Sequence, residues 1–107
     1  MGKERRESIR IPMRFEVSTE LGWAGYDGDL SINGLRLSGY SPLRFSPVIH
    51  VRIPLPGTPG PLEIQARIKR YFVSDEGVQT AATFETLDFD SELAIAKAID
   101  DQLAAEG

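Results

Sequence analysis

The chain has 107 residues, of which 41% are apolar and 26% charged, which supports one modest core and leaves no room for a second domain. It holds no Cys and a single His, His50, so disulfides, thiolate catalysis and Cys-ligated zinc are excluded, and a protein-only metal site is argued against. No apolar run approaches the ~20 residues that span a bilayer. The charged start, Met1 to Arg14, lacks the apolar stretch of a secretory signal, so the cytoplasm is the expected compartment.

The net charge of −4 is unevenly spread. Residues 1–74 carry eleven Lys and Arg against seven acids, whereas residues 75–107 carry one Lys against nine acids. Nine of the twelve basic residues are Arg, the side chain that forks onto phosphate and stacks on planar rings. Arg5, Arg6, Arg10 and Arg14 crowd one short stretch. Such a cluster on an acidic protein points to a small anionic ligand, because a nucleic-acid polymer usually requires a broad basic face.

Along the chain, Met13, Phe15 and Val17 alternate with Arg14, Glu16 and Ser18, the period of a half-buried strand. Trp23 to Leu30 is a weaker strand, thinned by Gly25 and Gly28. Asn33 and Gly34 favour a tight turn before the strand around Leu35 and Leu37. Ile49, Val51, Ile53 and Leu55 alternate with His50 and Arg52 until the segment 54–61, whose four prolines cannot donate to a ladder. Ile64, Ala66, Ile68 and Phe72 form the clearest strand, and its partner runs from Val78 to about Phe84 after a turn at Asp75, Glu76 and Gly77. The period then changes: Ile95, Ile99 and Leu103 recur every four residues, behind a cap expected at Asp90 or Ser91.

Six short strands and one terminal helix, without βαβ alternation, predict an all-β fold: a closed six-stranded antiparallel barrel with a C-terminal α-helix. The expected organisation is a single domain over 1–107, with an N-terminal arm at 1–12, the barrel at 13–87 and the helix at 90–105.

Two short motifs carry the chemistry. In RRESIR, Arg6 and Arg10 stand four apart just before the first strand and can close on one ligand, each with five donors that suit phosphate oxygens or the O6/N7 edge of guanine. The competing reading is a solvated arm. In DGDLSING, Asp29 and Ser31 would share the outward face of a strand, with Gly34 supplying backbone freedom for a turn. Here the competing reading is turn chemistry alone. A calcium loop fails on spacing, since Ile32 and Ser38 stand where Gly and Glu are needed.

Together, the Arg6–Arg10 pair and Asp29, Ser31 and Gly34 resemble the RxxxR and D/NxSxxG motifs of PilZ domains, receptors for the bacterial second messenger cyclic di-GMP. The resemblance covers nearly the whole chain, including ARIKRYF, the following strand ending AATFETL, and the closing helix. It implies a stand-alone bacterial receptor, not an enzyme, with no cofactor and no metal. Arg6 and Arg10 would clamp phosphates and guanine faces, Asp29 and Ser31 would hold a guanine edge, and Gly34 would allow close approach. Arg5 occupies the place associated in the family with an intercalated pair of ligand molecules. The arm would order over the ligand and relay binding to a downstream partner protein, and Arg36 and Arg70 would border the ligand.

Two alternatives stand beside this reading. One is a small barrel that stacks single-stranded nucleic acid on Trp23, Tyr26 or Tyr71, against which the net charge argues. The other is a PilZ-like protein-interaction module that binds no nucleotide. Catalysis finds no support, since Ser31 lacks a nucleophile-elbow context and His50 reads as an outward strand residue. Arg36, Arg52, Arg67 and Arg70 are expected on outward strand faces, mostly solvated.

Overall fold

The structure, a computed structural model, describes residues 8–40 and 47–106. Its elements are β1 (Ile11–Thr19), β2 (Gly22–Leu30), β3 (Gly34–Ser38), β4 (Val48–Ile53), β5 (Leu62–Ser74), β6 (Gly77–Phe84) and α1 (Phe89–Glu106). The strands close into a barrel in the order β1-β2-β3-β6-β5-β4, and every neighbouring pair is antiparallel. The expected all-β barrel with a terminal helix is thus the fold observed.

Alternation builds the core. Phe15 and Val17 from β1, Leu35 and Leu37 from β3, Ile49, Val51 and Ile53 from β4, and Ile64 and Ala66 from β5 are buried, with polar or charged neighbours between them facing outward. Burying each larger side chain contributes roughly 1.5–3 kcal/mol. Thr80 is the one fully buried polar residue of the barrel wall among the described residues, and its hydroxyl donates to the Tyr40 carbonyl at 2.6 Å. The glycines that weaken β2 as a sequence signal are a condition of its packing. A Cβ at Gly28 would lie 1.8 Å from the Arg36 carbonyl oxygen.

Two local expectations are corrected. Alternation groups Phe72 with Ile64, Ala66 and Ile68, but the β5–β6 register shifts between Ile68 and Arg70, and Phe72 emerges 44% exposed opposite Gln79. One inserted residue moves every later side chain to the other face. The helix cap is Asp88, not Asp90 or Ser91: its Oδ1 accepts the Ser91 N–H at 2.7 Å, and its carbonyl accepts the Glu92 N–H at 3.0 Å. Ser91 is buried instead, and Ile95 and Ile99 on the same side of α1 join the barrel core.

Strand β1 starts at Ile11, inside the stretch expected as the arm. Ile9 belongs to the core, and Ile11 and Pro12 already pair with Leu30 and Asp29. Among the described residues no helix is long and apolar enough to cross a membrane.

Candidate functional site

The β2–β3 turn sets the geometry. Strand β2 ends at Leu30, and Ser31 lies just beyond it rather than on an outward face shared with Asp29. Its N–H and hydroxyl both donate to the Gly34 carbonyl, at 2.8 Å and 3.1 Å, and the residue is buried. The Asn33 carbonyl accepts the Phe84 N–H at 3.1 Å, tying this turn to the end of β6. Gly34 has no positive φ, so backbone freedom is not what the position requires. A Cβ there would stand 2.1 Å from the Ala82 carbonyl oxygen, and the glycine permits β3 and β6 to approach.

That turn fixes Leu30 opposite Leu35 and Asp29 opposite Arg36. Since Leu30 and Leu35 point into the core, Asp29 and Arg36 share the outer face. The same lateral row continues from Arg36 to Ala81 on β6 and from Ala81 to Arg70 on β5, and in the other direction from Asp29 to Pro12 on β1. A carboxylate and two guanidiniums therefore lie on one row of the sheet, with small Ala81 between the two cations.

Arg10, just before β1, meets this row. The Arg10 Nη1 stands 3.5 Å from Asp29 Oδ1, with the Asp29 side chain only 20% exposed. At that separation the contact is an ion pair and not a hydrogen bond: among the described residues Asp29 Oδ1 is buried without a hydrogen-bond partner, and so is Arg36 Nε. A buried acceptor and a buried donor therefore stand on facing residues, neither hydrogen-bonded among the described residues. One repeat along the strands, Arg14 pairs with Asp27 at 3.0 Å, but both are well exposed and the contact belongs to the solvated surface.

Of the sequence-selected residues, Arg10, Asp29 and Arg36 come together, Ser31 and Gly34 build the turn beneath them, and Arg70 lies two strands away on the same row. Arg5 and Arg6 lie outside the described residues. The expectation that Arg36 and Arg52 are simply solvated is corrected. Arg36 Nε is buried, and the Arg52 guanidinium lies 3.8 Å over the Trp23 ring while bonding Glu63 at 2.9 Å. With Trp23 covered on one face and Tyr26 set edge-on to Tyr40, Tyr71 alone of the three rings suited to base stacking stays broadly exposed.

A groove of 660 Å³ lies elsewhere, between the outer face of β4 and β5 and the start of α1, lined among others by Trp23, His50, Gln65 and Asp88. His50 points outward there, as its alternation predicts. Among the described residues no three His, Asp or Glu side chains are placed to hold a metal ion.

These observations define a small closed antiparallel barrel with a terminal helix packed on its core and a carboxylate–guanidinium cluster of Arg10, Asp29 and Arg36 on its outer face. Neither a family model nor a curated protein matches the sequence. Among solved structures the chain is similar to the PilZ domain of CeSA from a cellulose-synthesizing bacterium, at 22% identity and a TM-score of 0.56. The match covers 89% of this chain and 98% of that one. The fold is PilZ-like.

Proposed function

We propose that this protein is a non-enzymatic receptor for cyclic di-GMP. The observation that carries the reading is the meeting of Arg10 with Asp29: one residue from each of two separate motifs, nineteen positions apart, converging on one spot of the barrel surface. The ligand supplies what that spot lacks. Each guanine edge offers N–H donors to the Asp29 carboxylate, and each phosphodiester offers acceptors to guanidiniums such as Arg10 and Arg36. Ser31 keeps hydroxyl lone pairs that can accept while its own proton stays on Gly34.

In this reading Arg6 closes from the arm together with Arg10, and Arg5 adds a third guanidinium for an intercalated pair of ligand molecules. Two such ligands carry four phosphate charges, which a further cation offsets. Ordering each arm residue costs roughly 1–2 kcal/mol, so several charge-assisted contacts must form together. The arm from Lys3 to Arg10, ahead of β1, then presents a new surface to a downstream protein in the cytoplasm.

Isothermal titration of the whole chain with cyclic di-GMP tests this. The expected result is micromolar or tighter binding with a stoichiometry near one or two ligands per chain, abolished by Arg6→Ala or Arg10→Ala. No heat at roughly 100 µM ligand, where a micromolar site is saturated, would remove the proposal.

A further inference from the structure

The groove that holds Trp23 and His50 is built on one lateral row of the sheet. Ser18 pairs with Trp23 across β1 and β2, the Val17–Val51 pair carries the row on to His50 of β4, and His50 pairs with Gln65 of β5. The Gln65 carbonyl accepts the Glu85 N–H at 3.0 Å, which brings Thr86 to the end of the row. Alternation turns Val17, Val51, Ile64 and Ala66 inward, so Ser18, His50 and Gln65 share the outer face. These three, with Trp23 and Thr86, are exposed and line the 660 Å³ groove, a volume within the range of about 300–1,000 Å³ typical of small-molecule sites. Along β5 the groove spans Glu63 to Gln65, where β4 and β5 pair residue by residue, and it runs from there toward the start of α1.

What the groove leaves free decides its ligand. Its acidic members are engaged: Glu63 bonds Arg52 at 2.9 Å, and Asp88 Oδ1 accepts the Ser91 N–H at 2.7 Å. No Lys or Arg lines the groove among the described residues, so an anion meets no cation there. The side chains of Ser18, His50, Gln65 and Thr86, by contrast, make no hydrogen bond or ion pair among the described residues. Hydroxyl, amide and imidazole groups each offer a donor and an acceptor, the pairing that a ligand hydroxyl also needs. From Trp23 to Gln65 the row crosses three strand spacings, about 14 Å, which suits a ligand with hydroxyls along its whole length. A nucleobase concentrates its polar atoms on one edge and would leave most of the row unused. Trp23, held by Arg52 over its ring, is 38% exposed at one end, and the electron-rich face of an indole attracts the C–H groups of a pyranose.

We propose that this groove binds a neutral oligosaccharide, laid across β1, β4 and β5 with one sugar ring against Trp23. The site is separate from the proposed nucleotide surface: Ser18 lies six residues along β1 from Pro12, the β1 member of the Asp29 row.

Trp23 is the single tryptophan, so its emission reports the groove directly. The whole chain is titrated with cellotriose, maltotriose and triacetylchitotriose, each to about 10 mM, which covers millimolar affinity. The expected result is a saturable change in Trp23 emission with at least one of the three, accompanied by shifts of the His50 and Gln65 amide resonances. Ser18→Ala and Gln65→Ala, both at exposed positions, should each weaken that binding about threefold or more, with melting temperature and cyclic di-GMP titration unchanged. No saturable response in emission or amide shifts from any of the three sugars, guanosine binding as well as the best of them, or affinity indifferent to both substitutions would each overturn the proposal. Since the receptor reading is tested by nucleotide titration, either proposal can fail without the other.

Discussion

Asp29 and Arg36 face each other across β2 and β3, and each leaves one buried polar atom, Oδ1 and Nε, without a hydrogen bond among the described residues. Folding alone gains little from such an arrangement, because a buried unpaired donor or acceptor costs roughly 1–3 kcal/mol. A ligand that satisfies both atoms recovers that cost on binding. Asp29→Asn keeps the shape but removes the charge and one acceptor, and should weaken cyclic di-GMP roughly 10- to 100-fold, since hydrogen bonds to charged groups contribute about 1.5–3 kcal/mol. Arg36→Ala should weaken it as well. Arg14→Ala, which breaks an exposed pair with Asp27, should change affinity less than about twofold. Calorimetry on the three variants checks this, and wild-type affinity in Asp29→Asn would remove Asp29 from the binding surface.

Gly34 separates a structural requirement from a ligand requirement. Its missing Cβ would collide with the Ala82 carbonyl, a backbone atom that moves only if β3 and β6 part. Gly34→Ala should therefore destabilise the free protein by about 1–3 kcal/mol or more, the range of an overpacked interior. Urea denaturation without ligand measures this. If stability were unchanged while affinity fell, the glycine would serve ligand approach alone.

The barrel is legible in the sequence because its signals are local: period-2 alternation in β1, β4 and β5, a turn signal around Asn33, one residue ahead of where Asn33 and Gly34 suggest it, and a four-residue apolar period in α1. The long-range consequences were harder to read. The bulge after Ile68 has no sequence signature, so alternation alone puts Phe72 on the inner face. The cap is ambiguous in the sequence because Asp88, Asp90 and Ser91 are all good capping residues and only packing decides among them. Arg36, by contrast, could have been placed opposite Asp29 by counting outward from the two-residue turn at Ile32 and Asn33. Ser31 read as a ligand contact because its spacing matches a motif, whereas its hydroxyl bonds Gly34. The motif spacing is thus partly a record of turn construction.

Arg52 offers a test of the opposite side of the barrel. Its guanidinium covers Trp23, bonds Glu63 at 2.9 Å and stands 3.9 Å from Glu16, so one side chain bridges β1, β4, β5 and the start of β2. Arg52→Ala should red-shift and change the intensity of Trp23 fluorescence, which reports this site alone because Trp23 is the single tryptophan. The cation–π contact is partly exposed, and its loss should cost about 0.5–1 kcal/mol. Nucleotide affinity should be unaffected, since Arg52 lies away from the Asp29 row. An unchanged emission spectrum would mean that the ring and the cation do not stack in solution.

The cap of α1 predicts a pH dependence whose sign follows from its hydrogen bonds. The backbone N–H of Ser91, and then its side chain, hold the Asp88 carboxyl below its ordinary value of 3.8. A carboxyl depressed in the folded state adds stability that is complete above its unfolded value and is lost as pH falls through the folded one. This contribution of Asp88 is therefore present at neutral pH and disappears on acidification below about pH 4, the ordinary aspartate range. Asp88→Asn can still accept the Ser91 N–H but cannot titrate. It should stay close to wild type at acidic pH and fall slightly below it at neutral pH, where the charge at the helix N-terminus is lost. Asp88→Ala should lower the melting temperature at neutral pH by more than Asp88→Asn, because it removes the acceptor as well. Melting curves of the three proteins between about pH 3 and 7 decide the matter, for a wild-type acid limb reproduced unchanged by Asp88→Asn would assign it to other carboxylates.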